Sequence, residues 1–405
     1  MRHVPFWFDT FPKSRRPSYP RLRGAHETQV AVVGGGLTGV SCALAFATAG
    51  VHVVLLESEV VGGGATAGSE GLLREGFNAS FQETAALHGL RTTRALWEGM
   101  RRGSLDMAAT LRRLNVRCQM TPMDVLTVAR PRPEAIKALR REHTARREAG
   151  AEASWVTPAA VTREAAIESG GAIRTHAVAI DPYRACLGLV AAAVERGAAI
   201  HEHTAVRRVK AASKHVELAT AAATIRAQAV VIATGAPIQD LRALRRHLNA
   251  THFYGVATES LPAAVRKQVG RRVVAVEDMS EPLRLIRWLP EERVMVHGGR
   301  QPELPERARA RALPQRTGQL MYELSLLYPA ISGVQPSWSW DRLDYETVDR
   351  LPFIGPHRNF PRHLFAFSPA RHGAGLAWTA ARLLVRHYQG KVARGDEAFG
   401  FSRIL

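Results

Sequence analysis

The chain has 405 residues, 46% of them hydrophobic and 22% charged, so its composition is that of a folded globular protein and excludes a mainly disordered one. Its 55 basic residues exceed its 36 acidic ones, which gives a formal net charge of +19. Only six of the basic residues are lysines, and the 49 arginines are spread from Arg2 to Arg403. A nucleic-acid-binding tail would show a run of like charge, so we expect the surplus to be surface composition and do not expect nucleic acid as a partner.

The cysteines and the apolar segments indicate in which cellular compartment we expect the protein. Cys42, Cys118 and Cys186 are too few and too scattered for a disulfide framework or a CxxC metal site, so no metal is predicted. The longest apolar region, residues 30–56, is interrupted by glycines and His52 and falls short of the roughly 18 to 20 apolar residues of a membrane helix. The proline-rich N-terminus lacks the apolar centre of a signal peptide. These features predict a cytoplasmic protein without a membrane span.

Residues 1–28 are predicted to form an irregular lead-in. An apolar strand at 30–33 then meets a glycine-rich turn at 34–39, a helix follows, and a second strand at 51–56 ends at Glu57. This order predicts a parallel βαβ unit of about thirty residues.

Farther along the chain the pattern changes twice. A helical, polar-rich stretch is predicted at 83–150, and α/β character returns at 178–235. Strand-like runs within 251–345 are consistent with an antiparallel sheet. A last strand near 364–367 precedes a glycine turn and a final helix.

Gly34, Gly36 and Gly39 form a GxGxxG fingerprint where the first strand meets the first helix. In that position the first glycine allows the tight turn, the second lets a pyrophosphate approach the backbone, and the third lets helix and strand pack closely. The helix N-terminus offers N–H groups and a positive dipole end to the phosphates. Glu57 lies twenty-one residues after Gly36, placed for its carboxylate to accept hydrogen bonds from ribose hydroxyls. The fingerprint therefore predicts a dinucleotide site.

The residues around this site resemble the D-amino-acid-oxidase-like superfamily of FAD-dependent oxidoreductases. Val60-Val-Gly-Gly-Gly-Ala-Thr66 is similar to the family's second glycine-rich turn, and Val230-Val-Ile-Ala-Thr-Gly235 to its strand that ends in ATG. Ile180-Asp-Pro-Tyr183 resembles the start of the segment that closes over the adenine. Asp349-Arg-Leu-Pro-Phe-Ile-Gly355 with Arg371-His-Gly-Ala-Gly-Leu376 resembles the C-terminal flavin-contacting block. The resemblance covers nearly the whole chain.

Within the superfamily, the sequence resembles the gamma-glutamylputrescine oxidoreductase-like branch. This likeness rests on Trp7 and Asp9 in the lead-in, on Val256-Ala-Thr-Glu-Ser-Leu261, and on Arg287-Trp-Leu-Pro-Glu-Glu-Arg293 leading to His297-Gly-Gly-Arg300.

The resemblance implies an α/β fold, in which a Rossmann-type FAD-binding domain of the glutathione-reductase-like kind is interleaved with an antiparallel-sheet substrate domain. We expect the FAD-binding domain at residues 29–95, 160–240 and 346–405, and a helical insertion at 96–159 with the substrate domain at 241–345. Because no cysteine lies in the C-terminal half, we expect FAD to bind without a covalent link. The residues expected to contact FAD are Gly34, Gly36, Leu37, Thr38, Gly39, Glu57, Ser58, Gly64, Ala65, Thr66, Val206, Thr234, Gly235, Gly373, Ala374, Gly375 and Leu376.

Four residues are candidates for the substrate side of the site. Arg371 and His372 precede the last glycine turn. Arg371, or alternatively Arg74, is available to a carboxylate end of the substrate, and His372 either orients substrate, hydrogen-bonds the flavin ring or is structural. Glu70 lies where the branch has an arginine-asparagine-glycine-glycine sequence, so it either faces the reactive side or is solvated. Asp344 matches the position of the amino-acid oxidases' carboxylate-clamping arginine. An aspartate there would favour a cationic amine, and pairing with a neighbouring arginine is the structural alternative.

The activity that the resemblance implies is an oxidation at a C–N bond. A hydride leaves the carbon beside an amine nitrogen for the flavin, and water hydrolyses the resulting imine. We expect an amine or secondary amino acid as substrate, and oxygen or another electron acceptor to reoxidise the flavin. Three alternatives stay open: an FAD-dependent 2-hydroxy acid dehydrogenase, an RNA-associated flavoprotein, and a flavoprotein without catalytic activity. The oligomeric state is not predicted.

Overall fold

A computed structural model describes residues 1–236, 238–278, 284–367 and 373–403. The chain divides into two compact units, each assembled from three segments. The first unit comprises Met1–Thr10, Thr121–Ala179 and Ala250–Leu343. The second unit comprises Phe11–Met120, Ile180–Asn249 and the described residues of the segment Asp344–Leu405.

The α-helices of the described residues are α1 (Phe6–Asp9), α2 (Leu37–Thr48), α3 (Phe81–Arg113), α4 (Pro133–Glu148), α5 (Pro158–Ala165), α6 (Pro182–Glu195), α7 (Ala263–Arg266), α8 (Glu306–Leu327) and α9 (Gly373–Tyr388). Side chains cap several of their N-termini. Ser80 and Glu83 form a reciprocal capping box at the start of α3. The Asp181 carboxylate accepts a 3.0 Å hydrogen bond from the Arg184 N–H, and Pro182 occupies the first position of α6.

The strands are β1 (Gly24–Val33), β2 (Val53–Leu56), β3 (Leu72–Arg74), β4 (Thr121–Val128), β5 (Ser154–Val156), β6 (Ala172–Ala179), β7 (Ala199–His201), β8 (Arg208–Ala211), β9 (Val216–Ala219), β10 (Ala223–Ile232), β11 (Leu248–Thr258), β12 (Val274–Asp278), β13 (Arg284–Leu289), β14 (Arg293–Pro302), β15 (Pro336–Thr347), β16 (Phe353–His357) and β17 (Phe360–Phe367).

The second unit is built on a sheet with the strand order β16-β17-β10-β1-β2-β7. β1 pairs in parallel with both β10 and β2, and β7 and β17 extend the parallel region at either side. Helix α2 follows β1 and packs against α6 and α9. Its residues are small and apolar, and most are buried, so it forms part of the layer that covers the sheet.

The first unit is built on a mainly antiparallel sheet with the strand order β15-β11-β14-β13-β12-β4-β6. The pair β12–β4 is parallel, and residues 336–343 of β15 belong to this unit. One face of the sheet carries apolar side chains such as Val256, Ile286 and Val296, which form a core together with Leu320 and Leu324 of α8. The opposite face is described with the candidate site.

Two local predictions are wrong. The lead-in is not irregular throughout, because it contains α1, and β1 begins at Gly24 and pairs with β10 from its first residue. The stretch 83–150 is not wholly helical, because β4 lies inside it. β4 is bordered by β12 and β6, and these partners are distant in sequence, so the local pattern around residues 121–128 gave no sign of them.

The boundaries of the compact units differ from the predicted domains. Residues 96–120, expected in the helical insertion, lie in the second unit, where α3 packs against α9. Residues 160–179, expected in the FAD-binding domain, lie in the first unit because β6 pairs with β4 along its whole length.

No helix among the described residues is long and apolar enough to cross a membrane. Cys42, Cys118 and Cys186 are free and buried, and burial raises the pKa of the Cys42 thiol to about 12 and that of Cys118 to about 11. These thiols are therefore protonated at neutral pH and unsuited to nucleophilic chemistry. The described residues hold no group of His, Cys, Asp and Glu side chains arranged to bind a metal ion. The cytoplasmic setting stays a prediction.

Candidate active site

A cavity of about 290 Å³ lies at the carboxyl ends of β1, β2 and β10 in the second unit. This is the edge at which parallel α/β sheets bind ligands. Thirteen of the seventeen residues expected to contact FAD line this cavity: Gly34, Gly36, Leu37, Thr38, Glu57, Ser58, Gly64, Ala65, Thr66, Thr234, Gly235, Gly373 and Ala374. The fold thus gathers the glycine turn, the second glycine-rich turn, the ATG strand end and the start of α9 around one space.

The glycine turn has the geometry that the fingerprint requires. Gly34 has a φ of 106°, which L side chains rarely adopt, and a Cβ there would lie 2.7 Å from the Ala233 carbonyl oxygen. A Cβ on Gly39 would lie 1.8 Å from the Gly34 carbonyl oxygen. Glycine at both positions therefore lets the start of α2 pack directly on β1, and leaves backbone at the cavity wall where a pyrophosphate can approach.

The Glu57 carboxylate is held in place by backbone groups. Its Oε2 accepts a 2.6 Å hydrogen bond from the Gly35 N–H, and its Oε1 accepts from the Glu59 N–H at 2.8 Å and from the Ser58 hydroxyl at 3.0 Å. Because the two oxygens of a carboxylate have about four acceptor positions and three are used, Glu57 keeps about one position for a ribose hydroxyl. These residues fit the adenosine half of FAD.

The second glycine-rich turn is fastened to the first. The Thr66 hydroxyl accepts a 2.9 Å hydrogen bond from the Leu37 N–H, the first amide of α2, and the Gly62 N–H donates to the Gly35 carbonyl at 3.0 Å. The first amides of a helix have no partner within the helix. Thr66 therefore fixes one of them, while the N–H of Thr38 belongs to the same first turn at the cavity wall.

Glu202 is a residue of this site that the sequence did not reveal. Its buried carboxylate accepts hydrogen bonds from the Val61 N–H at 2.7 Å and from the Tyr19 N–H at 3.0 Å. It thereby joins the second glycine-rich turn to the lead-in. Nothing in the sequence around residue 202 indicates this role, because both partners are more than 140 residues away. Five residues that line the cavity were not among the seventeen expected contacts: Val60, Gly62, Ser69, Ala233 and Ala366. Three of them, Val60, Gly62 and Ala233, lie within motifs that the sequence identified.

Four of the expected FAD contacts do not line the cavity. Gly39 lies at the helix–strand contact described above, and a Cβ on Gly375 would lie 2.2 Å from the Ser104 hydroxyl of α3, so both allow close packing. Leu376 is fully buried, and Val206 packs against the apolar core of the second unit.

The structure describes two of the four candidate catalytic residues, Glu70 and Asp344. Arg371 and His372 lie outside the described residues, so their roles stay predictions. Glu70 is buried, with its carboxylate 4.0 Å from the equally buried Arg74 guanidinium, so the solvated alternative is wrong. Asp344 is buried on β15, and its role in amine binding stays a prediction.

The first unit carries charged side chains on the sheet face opposite its apolar core. Glu277, Leu285, His297 and Gly255 lie opposite one another across β12, β13, β14 and β11, so their side-chain positions share that face. Arg287, two residues after Leu285, lies on the same face. Glu277, Arg287 and His297 are each less than 10% exposed.

Trp340 and Arg342 complete this surface, which we call the polar sheet face. The Trp340 ring covers Gly255, where a Cβ would lie 2.2 Å away, and Arg342 follows two residues later on β15. The Arg342 guanidinium lies 6.0 Å from the centre of the Phe253 ring. Hydrogen-bonding groups of both charge signs lie here beside aromatic rings, so a buried surface bearing Glu277, Arg287, His297, Trp340 and Arg342 has the chemistry of a binding surface.

Comparison with known protein families identifies the family of this chain. The family model described as DAO, FAD dependent oxidoreductase, matches residues 29–387. The chain belongs to this family. It is therefore an FAD-dependent oxidoreductase, and the predicted family, cofactor and fold class are confirmed.

Individual relatives agree with this assignment. The chain is 24% identical to gamma-glutamylputrescine oxidoreductase of Escherichia coli over 91% of this chain and 85% of that protein, which supports the predicted likeness to that branch. Among solved structures it resembles glycine oxidase of Geobacillus kaustophilus, with a TM-score of 0.76 and 21% identity over 94% of this chain and all of that one. It also resembles L-proline dehydrogenase of P. horikoshii, with a TM-score of 0.75 and 17% identity over 93% of this chain and 97% of that one.

Proposed function

We propose that this FAD-dependent oxidoreductase oxidises the C–N bond of an amine that also bears a carboxylate, such as a primary or secondary amino acid. The observation that carries the proposal is the polar sheet face, where two arginines and a glutamate are buried beside aromatic rings. The named substrates of the relatives, gamma-glutamylputrescine, glycine and L-proline, each combine an amine with a carboxylate.

We assign binding of the carboxylate to Arg287 and Arg342. A guanidinium is planar and can donate two parallel hydrogen bonds to a carboxylate, and such pairs are stronger where water is excluded. Trp340 and Phe253 supply the apolar surface that keeps water out. Glu277, whose Oε2 accepts a 3.1 Å hydrogen bond from the Thr127 hydroxyl, contributes the negative charge of this face. Asp344 stays the predicted partner of the amine.

FAD, when bound, supplies the two-electron acceptor that takes a hydride from the carbon next to the nitrogen. The chain binds and orients the substrate so that this carbon is presented. The substrate loses the hydride and one proton from nitrogen, and water converts the imine to a carbonyl compound and a free amine or ammonia. Oxygen or another acceptor then has to remove the two electrons before the next turnover.

The test is anaerobic reduction of the purified holoenzyme by matched pairs of compounds. Each pair consists of an amino acid and the 2-hydroxy acid of the same carbon skeleton, and simple diamines form a third group. We expect the flavin absorption to be bleached by amino acids or N-alkyl amino acids and to be unchanged by their hydroxy acids. Reduction by hydroxy acids alone would overturn the proposal in favour of C–O oxidation. Stoichiometric FAD that no compound reduces would overturn it in favour of a flavoprotein without this activity.

A further inference from the structure

A second cavity, of about 450 Å³, lies among α2, α3 and α9 of the second unit. None of the described residues lines both this cavity and the FAD cavity. The described residues that line it are Leu44, Ala45, Thr48, Thr110, Arg113, Leu114, Arg196, Trp378, Arg382, Val385 and Arg386. We call this space the arginine cleft.

The arginine cleft combines an apolar wall with a basic one. Leu44, Leu114, Trp378 and Val385 supply apolar surface, whereas four of the eleven lining residues are arginines and none is acidic. Two other cavities of this unit are also lined by four arginines, but acidic residues such as Glu98 line both of them, whereas the described lining of the arginine cleft includes no acidic residue. Its volume is that of a pocket for a small molecule.

Within the described part of the chain, two of the four guanidiniums have no charged partner. Arg382 contacts Asp106, and Arg386 pairs with both oxygens of Asp396. Arg113 donates only to the Thr110 hydroxyl, at 3.4 Å, and Arg196 only to the Ala192 carbonyl, at 2.8 Å. Among the described residues, no carboxylate lies within ion-pair distance of either. The cleft therefore has an excess of positive charge.

The positive charges are close enough to act on one another. Burial and the neighbouring Arg386 and Arg102 guanidiniums lower the pKa of Arg382 from its usual value. A bound anion would offset this repulsion, and the exposed Arg113 and Arg196 side chains are accessible to it.

We propose that the arginine cleft binds a small anionic amphiphile, with a phosphate or carboxylate head held by Arg113 and Arg196 and an alkyl or ring portion against Leu44, Trp378 and Val385. A fully hydrated anion would not use the apolar wall, and a neutral apolar compound would not use the unpaired guanidiniums. The site lies one helical turn along α9 from Ala374, a residue of the FAD cavity, because Trp378 follows Ala374 by four residues.

The first experiment compares three probes by calorimetric titration of the holoenzyme. Octyl phosphate carries both parts of the proposed ligand, inorganic phosphate lacks the tail, and octyltrimethylammonium has the same tail with the opposite charge. We expect saturable binding of octyl phosphate and at least about tenfold weaker binding of the other two probes, because inorganic phosphate buries no alkyl chain and the guanidiniums repel the cation. Equal affinity for inorganic phosphate, or for the cation, would overturn the proposal.

The second experiment locates the binding site with side-chain substitutions that leave the backbone of both cavities unchanged. We expect the double variant Arg113→Gln, Arg196→Gln to weaken octyl phosphate binding by about tenfold at low salt. Ala45→Leu, which fills the apolar wall and removes no charge, should weaken it as well. The matched control is Arg307→Gln, Arg311→Gln, which makes the same charge change on exposed positions of α8. A control that weakens binding as much as the cleft variant would show a general charge effect and would contradict the site.

Discussion

The Glu57 carboxylate and the Gly35 N–H are joined by a 2.6 Å hydrogen bond. Glu57 directly follows β2, and Gly35 lies in the glycine turn that follows β1. The acid expected to hold the ribose is therefore positioned by the turn expected to hold the pyrophosphate. A change at one of these residues should affect both halves of the nucleotide site.

Glu57→Gln should weaken FAD binding about tenfold to a hundredfold. The carboxylate accepts from the Gly35 N–H on one oxygen and from the Glu59 N–H on the other, so an amide NH₂ would face a donor on one side. Fluorescence titration of apoprotein with FAD measures the dissociation constant. Glu59→Gln is the control, because the Glu59 side chain is exposed and only its backbone N–H takes part. Equal affinities for the two variants would contradict the assigned role of Glu57.

Glu202→Gln should loosen the second glycine-rich turn without directly removing an FAD contact. Both carboxylate oxygens of Glu202 accept from backbone amides, those of Val61 and Tyr19, and glutamine can accept from only one of them. We expect weaker FAD binding and a lower free energy of unfolding, by about 1 to 3 kcal/mol, measured by urea denaturation of the apoprotein. Glu195→Gln, at the exposed end of α6, should change neither quantity. Unchanged FAD affinity with lost stability would limit Glu202 to a structural role.

Asp181 should make the stability of the protein depend on pH. Burial raises its pKa to about 6, against hydrogen bonds from Arg184 and Tyr183 that lower it. A pKa raised in the folded state means that the stabilisation is full below the unfolded value of about 4 and is lost as the pH rises to about 6. Asn at this position still caps α6 but does not titrate.

The free energy of unfolding of the wild type, relative to Asp181→Asn, should therefore fall by up to about 3 kcal/mol between pH values of about 4 and 6. Urea denaturation of both proteins across that range measures the difference. Parallel curves would show that the carboxyl group has no raised pKa.

Arg342→Gln and Arg287→Gln should discriminate between substrates. If these guanidiniums bind a carboxylate, each variant should raise KM about tenfold to a hundredfold for amino acids and change it little for amines that lack a carboxylate. Steady-state kinetics with both substrate classes measures the ratio, and the carboxylate-free amine serves as the internal control. A similar increase for both classes would show that the arginines support the sheet and do not recognise the substrate.

Local sequence patterns were sufficient for the nucleotide site. Gly34, Gly36, Gly39 and Glu57 lie within one βαβ unit, where each residue's role follows from its distance along the chain from the others. The strand and the helix of that unit are also strongly apolar, so the sequence pattern was sufficient to predict both elements. This is why the sequence alone predicted a nucleotide site at the carboxyl ends of β1 and β2.

The features that the sequence did not predict depend on contacts between residues that are far apart in the chain. Glu202 matters because it reaches Val61, 141 residues away, and a lone acid in the sequence does not reveal such a partner. The polar sheet face depends on the register of β12, β13 and β14, which puts Glu277, Arg287 and His297 on one side of the sheet. A one-residue shift in any of these strands would turn its side chains to the other face.

The central claim is C–N oxidation by the FAD-bound chain, and a single-turnover reaction without oxygen tests it most directly. Holoenzyme is mixed with an excess of the amino acid that bleaches its flavin fastest, and reduced flavin, released ammonia or amine, and carbonyl product are measured in the same sample. We expect one carbonyl compound and one ammonia or amine for each flavin reduced. The amino acid chosen has its nitrogen outside a ring, because a cyclic imine keeps its nitrogen on hydrolysis, and flavin reduction without release of that nitrogen would contradict C–N oxidation.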